Sequence, residues 1–168
     1  YAIEVDAQGY APAIVPVLIE RGAREEPDVR LLKPEDIPSG FVYVPAGPFR
    51  LGGDPKAIRS LPRARIDLHG FLIARDEVTC MEFAEFLSSL PPAEAKPLLP
   101  RGGARQRYAT LFWPAEGGYR YPPAWPPDRP VTGITFEAAS RYAAWRAQRD
   151  GLKIRLPTEI EWEKACRG

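Results

Sequence analysis

The chain is short of the residues that carry the commonest protein chemistries. Its 168 residues include two cysteines, one histidine and one methionine. Two thiols and one imidazole are too few for a zinc site built from four protein ligands. Cys80 and Cys166 lie far apart in sequence, so they pair only if the fold brings them together, and otherwise stay separate, partly buried thiols. His69 has no carboxylate or cysteine at ligand spacing, so a strand end or turn suits it better than a metal ligand or a general base. Charge of one sign is also lacking. The 23 Lys and Arg against 22 Asp and Glu leave a formal net charge of +1, which argues against a broad basic field for nucleic acid. No apolar run reaches the roughly 18 residues of a membrane span. Tyr1 opens the chain and no charged-then-apolar leader follows it, so the sequence reads as an excised or processed segment.

What is present is proline and glycine, 20 and 14 residues respectively, scattered rather than repeated. That pattern predicts short elements joined by irregular structure. The 45% apolar share suffices for one domain, or one domain with a neighbour's tail.

Residues 1–33 read as separate from the rest. Tyr1-Ala-Ile-Glu-Val-Asp6 alternates apolar and polar, Gln8-Gly9-Tyr10 supplies a turn, and residues 13–19 form a second strand, together a β-hairpin. Pro16 places that second strand at an edge or bulge. Residues 21–38, charged and punctuated by proline, read as a connector. A new unit starts at Phe41, with extended segments over 41–44 and 48–52 and two more around His69-Gly70.

Three helices follow. Thr79 and Glu82 form a capping box, with Val78 and Phe83 at the positions of a hydrophobic staple. Phe83, Phe86, Leu87 and Leu90 make a core-facing stripe, and Pro91-Pro92 ends the helix. Cys80 takes the first position of this helix, where a thiolate is somewhat favoured. Residues 91–130 form an irregular stretch loaded with Tyr108, Phe112, Trp113, Tyr119, Tyr121 and Trp125. Such a stretch is a cover over the core, a recognition surface, or both. The third segment starts at Thr135 as a cap, buries Ala138, Tyr142 and Trp145, pairs Glu137 with Arg141, and stops at Gly151. Lys153-Ile-Arg-Leu156 reads as a short strand.

The closing stretch starts sharply. Thr158 and Glu161 form a second capping box, and Glu159, Glu161 and Glu163 complement the positive end of the helix dipole. Ile160, Trp162, Ala165 and Cys166 supply an apolar stripe that buries Trp162. Gly168 can end the helix in the left-handed conformation.

Four segments now stand in order: Phe41-Val-Tyr-Val-Pro-Ala-Gly-Pro-Phe49, Asp76-Glu-Val-Thr-Cys-Met-Glu-Phe-Ala-Glu-Phe86, Pro130-Val-Thr-Gly-Ile-Thr-Phe-Glu-Ala-Ala139 with Tyr142-Ala-Ala-Trp145, and Arg155-Leu-Pro-Thr-Glu-Ile-Glu-Trp-Glu163. This order and wording resembles the formylglycine-generating enzyme family, also called the sulfatase-modifying factor family, over residues 38–168. The last segment is the most specific of the four.

The resemblance implies an α+β fold of the C-type-lectin-like kind, rich in irregular structure. It implies oxidation of a cysteine in a target peptide to formylglycine with molecular oxygen and copper, and calcium-binding loops elsewhere in the domain. The family's redox-active cysteines and calcium loops lie C-terminal to the segment that Arg155 opens, so no catalytic residue and no copper or calcium ligand is assigned here. Cys166 resembles a position that forms a structural disulfide in some members. Cys80 stands where the family often has asparagine, and Ala143 where many members have cysteine. Tyr119, Arg120 and Tyr121 resemble an aromatic-Arg-aromatic stretch of the family's peptide groove. Residues 1–33 resemble the end of a β-rich module of the PEGA type, with a linker running to 38. The implied setting is a multidomain bacterial protein with a peptide or protein ligand. It carries a kinase domain in the parent protein or a second chain completing the fold. Two cysteines suit cytoplasm and cell exterior alike.

Overall fold

The computed structural model describes residues 2–17, 21–22, 24, 26–56, 58, 60–103 and 109–167. Expectations that involve Tyr1, residues 18–20, Tyr108 or Gly168 lie outside the described residues. The chain folds as two compact units, Tyr1–Asp76 with Pro157–Gly168, and Glu77–Leu156.

In the first unit, β1 (Ala2–Val5) and β2 (Ala13–Pro16) form an antiparallel hairpin. Pro16 lies at the strand end, opposite Ala2. The connector holds one 3-10 turn, Pro34–Asp36. β3 (Phe41–Val44) and β4 (Gly47–Leu51) are consecutive but do not pair with each other. β4 pairs with β5 (Ala64–Leu68), and β3 pairs with β6 (Phe71–Ala74), so one hairpin is nested inside the other. His69 is exposed between β5 and β6.

The last helix of the chain, α4 (Glu159–Arg167), belongs to this unit. Thr158 Oγ1 accepts the Glu161 N–H at 3.2 Å, and the Glu161 carboxylate accepts the Thr158 N–H at 2.8 Å. The expected apolar stripe is not what the helix buries. Trp162 is 58% exposed and Cys166 is exposed, while Lys164 is only 2% exposed. Backbone geometry decides this outcome. The Lys164 ammonium donates to the carbonyls of Pro45 and Gly47 at 2.7 and 2.9 Å, at the corner between β3 and β4. Burial holds its pKa below the usual lysine range, with Asp67 opposing. Beside it, Glu163 accepts the Gly52 N–H at 2.7 Å, and Arg167 donates to the Gly52 carbonyl at 3.1 Å. Gly52 has φ +60°, and a Cβ there would collide with the Leu61 carbonyl. Only glycine suits this grip.

The second unit has a continuous aromatic core. α1 (Cys80–Ser88) starts at Thr79, whose side chain accepts the Glu82 N–H while Glu82 reaches back to the cap. It buries Cys80, Phe83, Ala84, Phe86 and Leu87. Proline ends α1, but Pro92 then opens a further short helix, α2 (Pro92–Ala95). Proline's fixed φ suits a first helical position. The described helices therefore number four rather than three.

α3 (Phe136–Asp150) is capped by Thr135 and ends at Gly151 in the left-handed conformation. Tyr142 stacks on Phe83 at 5.8 Å between ring centres and meets Phe86 edge-on at 5.7 Å. Arg141 does not pair with Glu137 as expected. It reaches Glu94 at 2.6 Å. Residues 153–156 form no strand: the Ile154 N–H bonds locally to the Leu152 carbonyl, and no described strand pairs with them. No described helix is long and apolar enough to cross a membrane.

Candidate functional site

The irregular stretch of the second unit contains a small antiparallel ribbon. β7 (Trp113–Ala115) and β8 (Gly118–Arg120) turn at Glu116-Gly117 and pair in the register Trp113 with Arg120, Pro114 with Tyr119, and Ala115 with Gly118. Strand side chains alternate between faces, and directly opposed residues share a face. One face is thereby assigned to the core. Phe112 is buried and lies 5.5 Å from the Tyr121 ring, and Tyr119 and Tyr121 pack against the core cluster. The other face carries Trp113, 42% exposed, opposite the exposed Arg120.

The ribbon is held tightly to α1. Ser88 Oγ accepts the Tyr119 N–H at 2.9 Å and donates to the Ala84 carbonyl at 2.7 Å. A Cβ on Gly118 would run into the Ser88 side chain, so the close approach requires glycine. Further along, the Arg129 guanidinium lies 4.3 Å from the Trp125 ring centre. That stretch is tied to α1 through the Cys80 N–H, which donates to the Arg129 carbonyl at 2.7 Å. Each of these two stretches sets an exposed arginine beside an aromatic ring and is tied to α1 by a hydrogen bond.

Among Tyr119, Arg120 and Tyr121, only Arg120 is exposed, while both tyrosines are half-buried against the core. Trp113 is the surface residue that the resemblance alone did not single out. It comes into view through the register of the ribbon, which sets it opposite Arg120.

The thiols occupy different settings. Both are free, so no disulfide forms. Cys80 is fully buried, its Sγ 3.9 Å from the Pro130 carbonyl. Burial pushes this thiol up, with Arg129 pulling the other way. Desolvation thus outweighs the thiolate preference expected of a helix start. Thr79, Glu82, Thr158 and Glu161 are engaged in their capping boxes. Among the described residues no three His, Cys, Asp or Glu side chains converge to hold a metal. On the α1–α3 pair, Arg146 bridges Glu82 and Asp150, and Arg149 bridges Glu85 and Asp150. That network ties two helices together.

An antiparallel α+β fold with short strands and capped helices is the framework of the family that the sequence comparisons identify. Residues 30–168 match the sulfatase-modifying factor enzyme 1-like domain, and the chain belongs to that family. It is 38% identical to a hercynine oxygenase of Mycolicibacterium smegmatis over 137 residues, 74% of this chain and 31% of that protein. It is 31% identical to a formylglycine-generating enzyme of Thermomonospora curvata over 166 residues, 84% of this chain and 53% of that protein. It is 28% identical to the serine/threonine-protein kinase pkn1 of Chlamydia pneumoniae over 175 residues, 98% of this chain and 25% of that protein. The chain therefore spans between a quarter and about half of the length of these relatives.

Proposed function

We propose that this chain is part of a sulfatase-modifying-factor-type domain in a multidomain bacterial protein, and that it serves there as a non-catalytic binding or regulatory module for a peptide or protein. The observation that carries this reading is the ribbon, which presents Trp113 and Arg120 to solvent on a backing fixed to α1. The kinase relative supports the multidomain setting, because its likeness runs through nearly the whole chain while leaving most of that kinase unmatched. In this reading residues 1–33 are the tail of a PEGA-like module, linked to a domain that occupies 38–168.

The test is capture of peptides from a synthetic array by the parent protein, compared with its Trp113→Ala and Arg120→Glu forms. Loss of capture in both variants, with the fold intact, supports the module. Equal capture by all three proteins removes the ribbon from the account.

A second reading has its own support. The hercynine oxygenase and the formylglycine-generating enzyme are more similar to this chain than the kinase is, and both are named for an enzymatic activity on a specific product or substrate. In that reading the chain contributes part of a formylglycine-generating oxidoreductase whose catalytic cysteines lie beyond residue 168. A closely spaced cysteine pair in the parent sequence after that position favours it, and absence of the pair removes it.

A further inference from the structure

α4 is attached to the first unit by charge more than by apolar packing. α1 buries five side chains, Cys80, Phe83, Ala84, Phe86 and Leu87. Among the described residues of α4 the one buried side chain is Lys164. Ile160 and Ala165 are half-buried, and Trp162 and Cys166 face solvent. Three charged side chains of the helix reach backbone groups instead. The Lys164 ammonium donates to the carbonyls of Pro45 and Gly47. Glu163 accepts the Gly52 N–H and Arg167 donates to the Gly52 carbonyl. The Glu163 and Arg167 side chains also close on each other at 2.6 Å, one helical turn apart.

Such a joint is specific in direction and modest in net strength. Taking an ammonium out of water is costly, and its carbonyl bonds offset that cost only in part. The depressed Lys164 pKa, with Asp67 opposing, has the same origin. The apolar burial that holds α1 in place is small here. An element with few buried apolar contacts opens locally, ahead of the unit to which it belongs. The corner that receives Lys164 is braced without α4. β3 pairs with β6 over four positions and β4 with β5 over five, on either side of Pro45.

We propose that α4 is a releasable strap, in which Lys164 is a tethered primary ammonium seated on a preformed pair of acceptors, the carbonyls of Pro45 and Gly47, and that the helix lifts off as a unit while β3 to β6 stay paired. The seat selects a primary ammonium because that group brings both charge and N–H donors on a slim stem. A quaternary ammonium has the charge and no N–H. An alcohol has a donor and no charge. The strap is independent of the Trp113–Arg120 ribbon, so either can fail without the other.

The test uses the full chain and amide hydrogen exchange. In the native protein the amides of residues 163–167 are expected to exchange about 100-fold faster than the protected amides of β4 and β5, with little response to low urea, as a local opening does. Lys164→Ala removes three carbons and the ammonium, which are the heavy atoms of n-propylammonium. The variant should speed exchange at 163–167 about tenfold and leave β4 and β5 unchanged. Added n-propylammonium chloride should restore the slower exchange saturably, while tetramethylammonium chloride and 1-propanol should not. Exchange at 163–167 in step with β4 and β5 in the native protein overturns the strap. So does a Lys164→Ala chain that unfolds altogether by circular dichroism, because a strap can be lost without its unit. Restoration by all three solutes alike, or by none of them, overturns the ammonium seat.

Discussion

The Lys164 ammonium donates to the Pro45 carbonyl at 2.7 Å across 119 residues of sequence. This contact fixes α4 to the corner between β3 and β4, and it explains why a charged residue is the most buried one on that helix. Replacing Lys164 with Met keeps the stem and removes the donor. Two carbonyls, that of buried Pro45 and that of partly buried Gly47, then lose a charged partner, at a cost of about 1.5–3 kcal/mol for each such hydrogen bond, less whatever the desolvated charge was costing. We expect a net loss of about 2 kcal/mol by urea unfolding. An unchanged midpoint shows that the latch contributes nothing.

Trp162→Ala is expected to change stability by less than about 0.5 kcal/mol, as befits an exposed side chain. Thr79→Ala and Thr158→Ala should each cost about 1 kcal/mol through loss of a capping box. Thermal unfolding of the three variants checks the order. A Trp162 variant that costs more than the cap variants contradicts the exposure described above.

The contrast between Trp162 and Thr158 shows where the sequence was legible. Caps are local: Thr79 with Glu82, Thr135 and Gly151 announce helix ends through interactions spanning a few residues, and the helices start and stop there. The nested pairing of β3 with β6 and β4 with β5, by contrast, depends on contacts that no local pattern encodes. Neither does the burial of Lys164, whose partners are carbonyls of a distant corner. An apolar stripe on α4 was a fair reading by periodicity, but the backbone groups at Pro45 and Gly47 had a stronger claim on that face. At the candidate site, Arg120 was named by the family resemblance, and the structure places it exposed on the ribbon. Trp113 became visible only once the ribbon's register set it opposite.

Gly52→Ala and Gly151→Ala both place a side chain at positive φ, which costs about 1–2 kcal/mol by itself. At Gly151 the space is open, whereas at Gly52 the new methyl meets the Leu61 carbonyl. The Gly52 variant should therefore lose clearly more stability by differential scanning calorimetry. Equal losses at the two positions would remove the close approach from the account.

Asp150 is held below the usual carboxylate range, chiefly by its hydrogen bond from Arg149 and then by Arg146. A depressed folded pKa contributes stability above the unfolded value of about 3.9, and loses it as pH falls through the folded value. Asp150→Asn should thus cost about 0.5–1 kcal/mol at neutral pH, the scale of a solvent-screened pair, and much less near pH 2. A penalty that is the same at both pH values contradicts the ion-pair role.

Thiol accessibility separates the two cysteines. Cys166 should react with a thiol reagent in the native protein, and Cys80 only after denaturant is added, because the first is exposed and the second sealed. Two fast-reacting thiols in the native state would show that Cys80 is not shut into the core.

The most direct test of the binding-module reading is mass spectrometry of a cysteine-containing peptide captured by the parent protein, with copper supplied and the solution open to air. The account predicts that the peptide is retained through Trp113 and Arg120, is lost from the Trp113→Ala form, and keeps its thiol. Conversion of that cysteine to the formylglycine aldehyde would contradict it and establish the oxidoreductase instead.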